Sequence, residues 1–182
     1  MPELTQSLRE YAPRDSVPLA GYAASMVTYT AVLGLVLLGV ARKPRWQARS
    51  TDVALLGAAT HKLSRIVTKD FVTAPLRAPF TRRKEPEGAG EVHDEPRGSQ
   101  LQSSIGYLLT CPYCLGPWLG TGLSGLLVWR PEPTRFVLRM LAAVTISDFL
   151  HLAYARLNEN RKLAVAEREQ TEERPRLGAR LG

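Results

Sequence analysis

The chain has two cysteines, and they stand three residues apart in Cys111-Pro112-Tyr113-Cys114. That spacing supports two kinds of chemistry. As a redox pair, the thiols would alternate between free and disulfide-bonded. As metal ligands they supply half of a structural zinc site, which takes four. The third reading is bland: two small residues buried in packing. Pro112 suits the first turn of a helix, where its missing N–H would have had no partner. Thr110 or Cys111 then stands at the cap, and a thiol there gains thiolate character from the helix dipole. The histidines and one carboxylate extend the metal possibility to His61, His151 and Asp148. Asp148 has a structural alternative, an ion pair with Arg65 or Lys62. His93 sits in a charged Gly/Pro-rich stretch and is expected to do nothing.

These residues sit in a chain whose apolar and charged residues segregate. Lys and Arg number 24 against 17 Asp and Glu, a net charge of +7. The basic residues flank hydrophobic runs instead of gathering on one face, which points to anionic lipid headgroups and away from nucleic acid. The fold class expected is all-α: a small transmembrane helical bundle with three spans and one amphipathic interfacial helix. Residues 1–17 read as a flexible leader. Residues 18–41 form an uncharged run long enough to cross a bilayer. The run is longer than a signal-peptide core, and neither a dominant basic region before it nor a cleavage site after it is present. Residues 50–69 predict an amphipathic helix at the interface, with Leu55, Leu56, Ala59, Leu63, Ile66 and Val67 on one face.

Residues 70–104 carry Pro75, Pro79, Pro86 and Pro96 and read as a charged, mobile cytoplasmic loop. Within it, residues 73–84 are basic with apolar punctuation, suited to resting on headgroups. Residues 105–129 contain no charge and hold both cysteines, making a second span. Residues 136–154 predict the third, and 155–182 a charged cytoplasmic tail. Arg42–Ser104 holds 12 Lys and Arg, and Ala155–Gly182 holds 7. With three spans these segments share a side, which the positive-inside rule makes the cytoplasm, leaving the amino terminus outside. On that arrangement Cys111 and Asp148 each lie about 9 Å below the cytoplasmic surface. Small residues at Gly116, Gly120 and Gly125 would let helices approach closely, within one chain or between copies.

Three blocks carry a resemblance: THKLSRIVTKDFVTAPLRAPFTR, LLTCPYCLGPW and ISDFLHLAYAR. In this order they resemble the bacterial membrane-protein family catalogued as domain of unknown function 1360, across roughly Asp52 to Arg156. The resemblance implies a membrane location and no defined activity. Some members carry a sporulation-protein label. Cys-Pro-Tyr-Cys also matches the active-site tetrapeptide of glutaredoxins, but only over those four residues and without that fold's alternating strands and helices, so no glutaredoxin activity follows.

No phosphate-binding glycine loop, H-E-x-x-H or paired catalytic carboxylates occur, which points away from an enzyme. The expected protein is a multi-pass bacterial inner-membrane protein that assembles with itself or with a membrane partner. The alternative is a membrane thiol-redox or metal-binding protein using Cys111 and Cys114, with zinc as the metal.

Overall fold

The structure is a computed structural model and describes residues 19–43, 47–88 and 91–178. The expected leader, 1–17, lies outside the described residues. The elements in order are α1 (Leu19–Ala41), α2 (Ser50–Thr68), a 3-10 turn (Phe71–Thr73), α3 (Ala74–Arg77), β1 (Thr81–Gly88), β2 (Glu91–Pro96), α4 (Gln100–Thr110), α5 (Pro112–Trp129) and α6 (Pro131–Gly178). The chain divides into two units, residues 1–142 and 143–182; the second is the continuation of α6.

The first unit is organised by α2 and α5. Ala59 of α2 meets Leu123 and Leu127 of α5 and Leu138 and Leu141 of α6, flanked by Leu55, Leu56, Leu63 and Ile66. The apolar stripe read from the sequence of α2 thus covers a protein core, and only Val67 of that stripe stands apart from it. Helical periodicity places such residues on one face, and burying that face is where a helix gains most of its stability.

The three expected spans reduce to two candidates among the described helices. Gly21 packs on Ser104, Tyr22 on Tyr107, Tyr29 on Trp118, Val36 beside Gly125 and Gly39 beside Trp129. Lys43 Nζ donates to the Val128 carbonyl at 2.9 Å. α1 therefore runs parallel to α4 and α5. α2 runs the opposite way, from Asp52 beside Arg135, past Thr60 beside Gly120, to Arg65 paired with Glu91. α2, 19 residues long or about 28 Å, is the long element between α1 and α4 and runs opposite to both.

Two described helices are long and apolar enough to cross a membrane, Leu19–Ala41 with hydropathy 1.9 and Pro131–Arg168 with 1.6. The run 105–129 is not one helix. It breaks at Cys111, whose backbone is extended (φ −110°, ψ 108°), and α5 is diluted by Gly, Pro, Thr and Ser.

Residues 70–104 are also more ordered than the sequence reading has it. β1 and β2 pair antiparallel, from Thr81 opposite Pro96 to Gly88 opposite Glu91. The hairpin returns to the end of α2, where Val92 N–H donates to the Lys69 carbonyl at 2.9 Å. Its strands are too charged to announce themselves by apolar alternation. Lys84 bonds Glu95 at 2.6 Å across the pair and holds that carboxyl below the usual carboxylate range.

Gly21 is buried, and a methyl group built on it would overlap the Ser104 side chain. Gly21→Leu is expected to push α1 off α4 and cost about 1–3 kcal/mol. Gly116 has nothing within 4 Å of such a methyl. Gly116→Ala is therefore expected to be neutral or to stabilise by up to about 1 kcal/mol through helix propensity. Unfolding midpoints in mixed detergent check the contrast; equal losses would mean that α1 does not seat on α4.

Candidate functional site

Cys111 occupies the junction between α4 and α5. Its Sγ accepts the Cys114 N–H at 3.2 Å, and its carbonyl accepts Leu115 N–H at 3.0 Å. The thiol thus caps α5, satisfying one of the donors a helix start leaves open. Pro112 takes the first helical position. Both thiols are free, Cys111 half-buried and Cys114 exposed.

A cleft of about 560 Å³ lies against this junction. Tyr22, Ser25, Met26 and Tyr29 of α1 form one wall; Tyr107, Cys111, Cys114 and Trp118 stand across from them. Two edge-on ring pairs bracket it: Tyr22 with Tyr107 at 6.0 Å and 73°, and Tyr29 with Trp118 at 5.3 Å and 65°. Tyr29 Oη and Thr121 Oγ1 share a hydrogen bond at 3.1 Å. Among the described residues, none that lines the cleft is charged. Nothing in the sequence tells that Tyr22 and Tyr29, on a distant helix, face the cysteines.

The other expected ligands do not join the thiols. His61 lies exposed on α2, and His151 is exposed and Asp148 half-buried on α6. Among the described residues no group of three or more His, Cys, Asp or Glu side chains is placed to hold a metal ion. Arg65, expected near Asp148, forms an ion pair with Glu91 at the start of β2. Of the packing glycines, Gly125 meets Val36 of α1, Gly120 meets Thr60 of α2, and Gly116 meets no neighbour.

Two polar clusters hold the scaffold, and neither was foreseen. Arg77 is fully buried. Its Nε bonds Asp94 Oδ2 at 2.9 Å; Nη1 donates to the Val67 carbonyl at 2.8 Å, the Asp70 carbonyl at 3.0 Å and Thr73 Oγ1 at 2.8 Å. A cation so placed caps the carboxyl end of α2 while gripping the hairpin. Arg135 grips Asp52 with two bonds of 3.0 Å, Nε to Oδ1 and Nη2 to Oδ2. Asp52 Oδ2 also accepts Arg49 N–H at 3.2 Å, which starts α2.

Comparison with known proteins gives one family and one curated relative. The model of a protein family of unknown function, DUF1360, matches residues 55–154. The Bacillus subtilis protein named sporulation protein YjcA is 28% identical over 101 residues, which are 54% of this chain and 86% of that protein. No solved structure matches the chain. The matched residues contain both cysteines, Arg77 and Asp94, whereas α1, and with it the Tyr22–Tyr29 wall, lies outside them.

Proposed function

This chain belongs to the DUF1360 family of proteins of unknown function, and from that premise we propose that it is a multi-pass protein of a bacterial inner membrane. Its apolar helices cross the bilayer, and it works by assembling with a second copy or with another membrane protein.

One observation carries the membrane part. α1 leaves Met26, Val27, Leu35, Leu37 and Leu38 between 57% and 71% exposed. Water does not tolerate so continuous an apolar helix face, and lipid does. The parallel course of α1 and α4–α5 supports α2 as the returning span, with Lys62 and Arg65 near enough to its end to reach headgroups. Basic residues then distribute well. Counted along the sequence, residues 1–18, 69–99 and 155–182 hold 15 Lys and Arg, against six in 42–49 and 130–135. The positive-inside rule then favours the β1–β2 hairpin on the cytoplasmic side. Phe71, Val72 and Leu76 are exposed beside Arg83, which stacks on the Phe71 ring at 4.4 Å. They suit a plate resting on anionic headgroups. The sporulation role in the relative's name remains that protein's.

The test uses single cysteines in a Cys111→Ser/Cys114→Ser background. In intact spheroplasts an impermeant maleimide is expected to label Gln47→Cys and to spare Ser99→Cys; inverted vesicles should reverse this. Labelling of both from the same face would remove the four-pass arrangement. Crosslinking in the membrane is expected to trap a defined oligomer or partner, and a strictly monomeric protein would sink the assembly role.

A further inference from the structure

The geometry points to a redox activity beyond assembly: the cleft at Cys111 and Cys114 takes a membrane quinone, which the thiol pair reduces to the quinol. The inference rests on the membrane placement proposed above, because that is where a quinone is found.

The walls select the ligand class. A cleft of about 560 Å³ lies within the roughly 300–1,000 Å³ range of small-molecule sites. With no charged residue among the described residues of its lining, the cleft disfavours a phosphate, a nucleotide or a charged soluble thiol, all of which pay heavily to leave water unpaired. It offers instead four aromatic rings in two edge-on pairs, which suit a flat neutral ring. Tyr22 and Tyr107 bring phenolic O–H groups, donors for a carbonyl oxygen. Met26 and Leu108 add apolar wall for an isoprenoid tail. Such a ligand binds in many places without chemistry. Here the same cleft is lined by both thiols of the chain, free and three residues apart.

The step balances without any other reactant. Two S–H bonds break and one S–S bond forms between Cys111 and Cys114. Two electrons and two protons pass to the quinone, whose two carbonyls become the hydroxyls of the quinol.

The experiment uses the full chain in detergent, reduced and freed of reductant under anaerobic conditions. Because no bilayer is present, its outcome is separate from that of the topology test. The probe is decylubiquinone, whose fully substituted ring resists addition of thiols. In a Trp46→Phe/Trp129→Phe background, Trp118 fluorescence is expected to quench saturably. Two maleimide-reactive thiols should disappear for each quinone reduced, with a mass loss of two hydrogens and no adduct. Cys111→Ser and Cys114→Ser should each keep the quenching and lose the reduction. Tyr107→Leu should raise the half-saturating quinone concentration about tenfold, the equivalent of one hydrogen bond. Quenching that does not saturate, thiols that stay free, a quinone adduct by mass, or a reduction rate unchanged in Tyr107→Leu would each overturn the assignment.

Discussion

Asp94→Asn is expected to loosen the hairpin from the end of α2 and to destabilise the region by about 3–5 kcal/mol, the usual cost of removing one partner of a buried ion pair. Asp94 is the only carboxylate that the described structure gives to Arg77, which is fully buried. Without it the guanidinium charge remains inside the protein with only carbonyl and hydroxyl neighbours. Those neighbours belong to Val67, Asp70 and Thr73, so the disturbance travels straight to the last turn of α2. Thr81, bonded to the Arg77 carbonyl at 3.0 Å, would lose its weaker contact to Asp94 as well. Trypsin gives the readout. Arg82, Arg83 and Lys84 lie in β1, and cleavage there follows the population of the opened hairpin, so at the low end of that range it should accelerate about a hundredfold. Arg77→Leu/Asp94→Leu removes both charges and should cost less than either single change. Cleavage of Asp94→Asn at the wild-type rate would mean that the pair does not hold the hairpin.

Why this cluster escaped the sequence reading is instructive. Arg77 stands in a basic, proline-marked stretch whose charge pattern argues for a solvated or lipid-facing surface. Charge and spacing do not report burial, and the partner lies 17 residues on, across a hairpin whose strands alternate little in polarity. By contrast, helices were legible where apolar period or length was strong: α1, the packed face of α2, and α6. The cap at Cys111 was legible as well, since Pro112 and the thiol are local signals. What local signals cannot supply is direction. The three-span reading treated 42–104 as one cytoplasmic segment because the apolar run of α2 looks too short to cross and because three spans keep the two basic-rich segments on one side. Once α2 has neighbours, α5 and α6 cover its apolar stripe and Glu91 meets Arg65, so polarity in its last turns no longer decides its place. The same limit applies to the cleft. Cys111 and Cys114 were visible, but Tyr22 and Tyr29 become their neighbours only through the parallel packing of α1.

Asp52 and Arg135 provide the test that separates the two arrangements most sharply. Under the three-span reading Asp52 starts a cytoplasmic helix, while Arg135 lies in the outer turn, a bilayer away. The two would be energetically independent. In the structure Asp52 is 2% and Arg135 7% exposed, and their two parallel bonds form the geometry in which arginine holds carboxylate best. Asp52→Ala is expected to destabilise the bundle by about 3–5 kcal/mol, because it strands a buried guanidinium and removes the acceptor for Arg49 N–H at the start of α2. Arg135→Ala should cost a comparable amount. The double alanine variant should lose much less than the two single losses added together, giving a coupling of about 2 kcal/mol or more, within the range measured for close charge pairs. Charge exchange sharpens the point. Asp52→Arg/Arg135→Asp restores opposite charges, but it puts a cation in the first turn of α2, loses the bond to Arg49 and sets a carboxylate against Glu132, so it should recover only part of the single-variant loss. Unfolding midpoints of the four alanine-cycle proteins in mixed detergent supply the coupling. A value below about 0.5 kcal/mol, the limit for independent sites, would place Asp52 and Arg135 on different faces and return α2 to the interface.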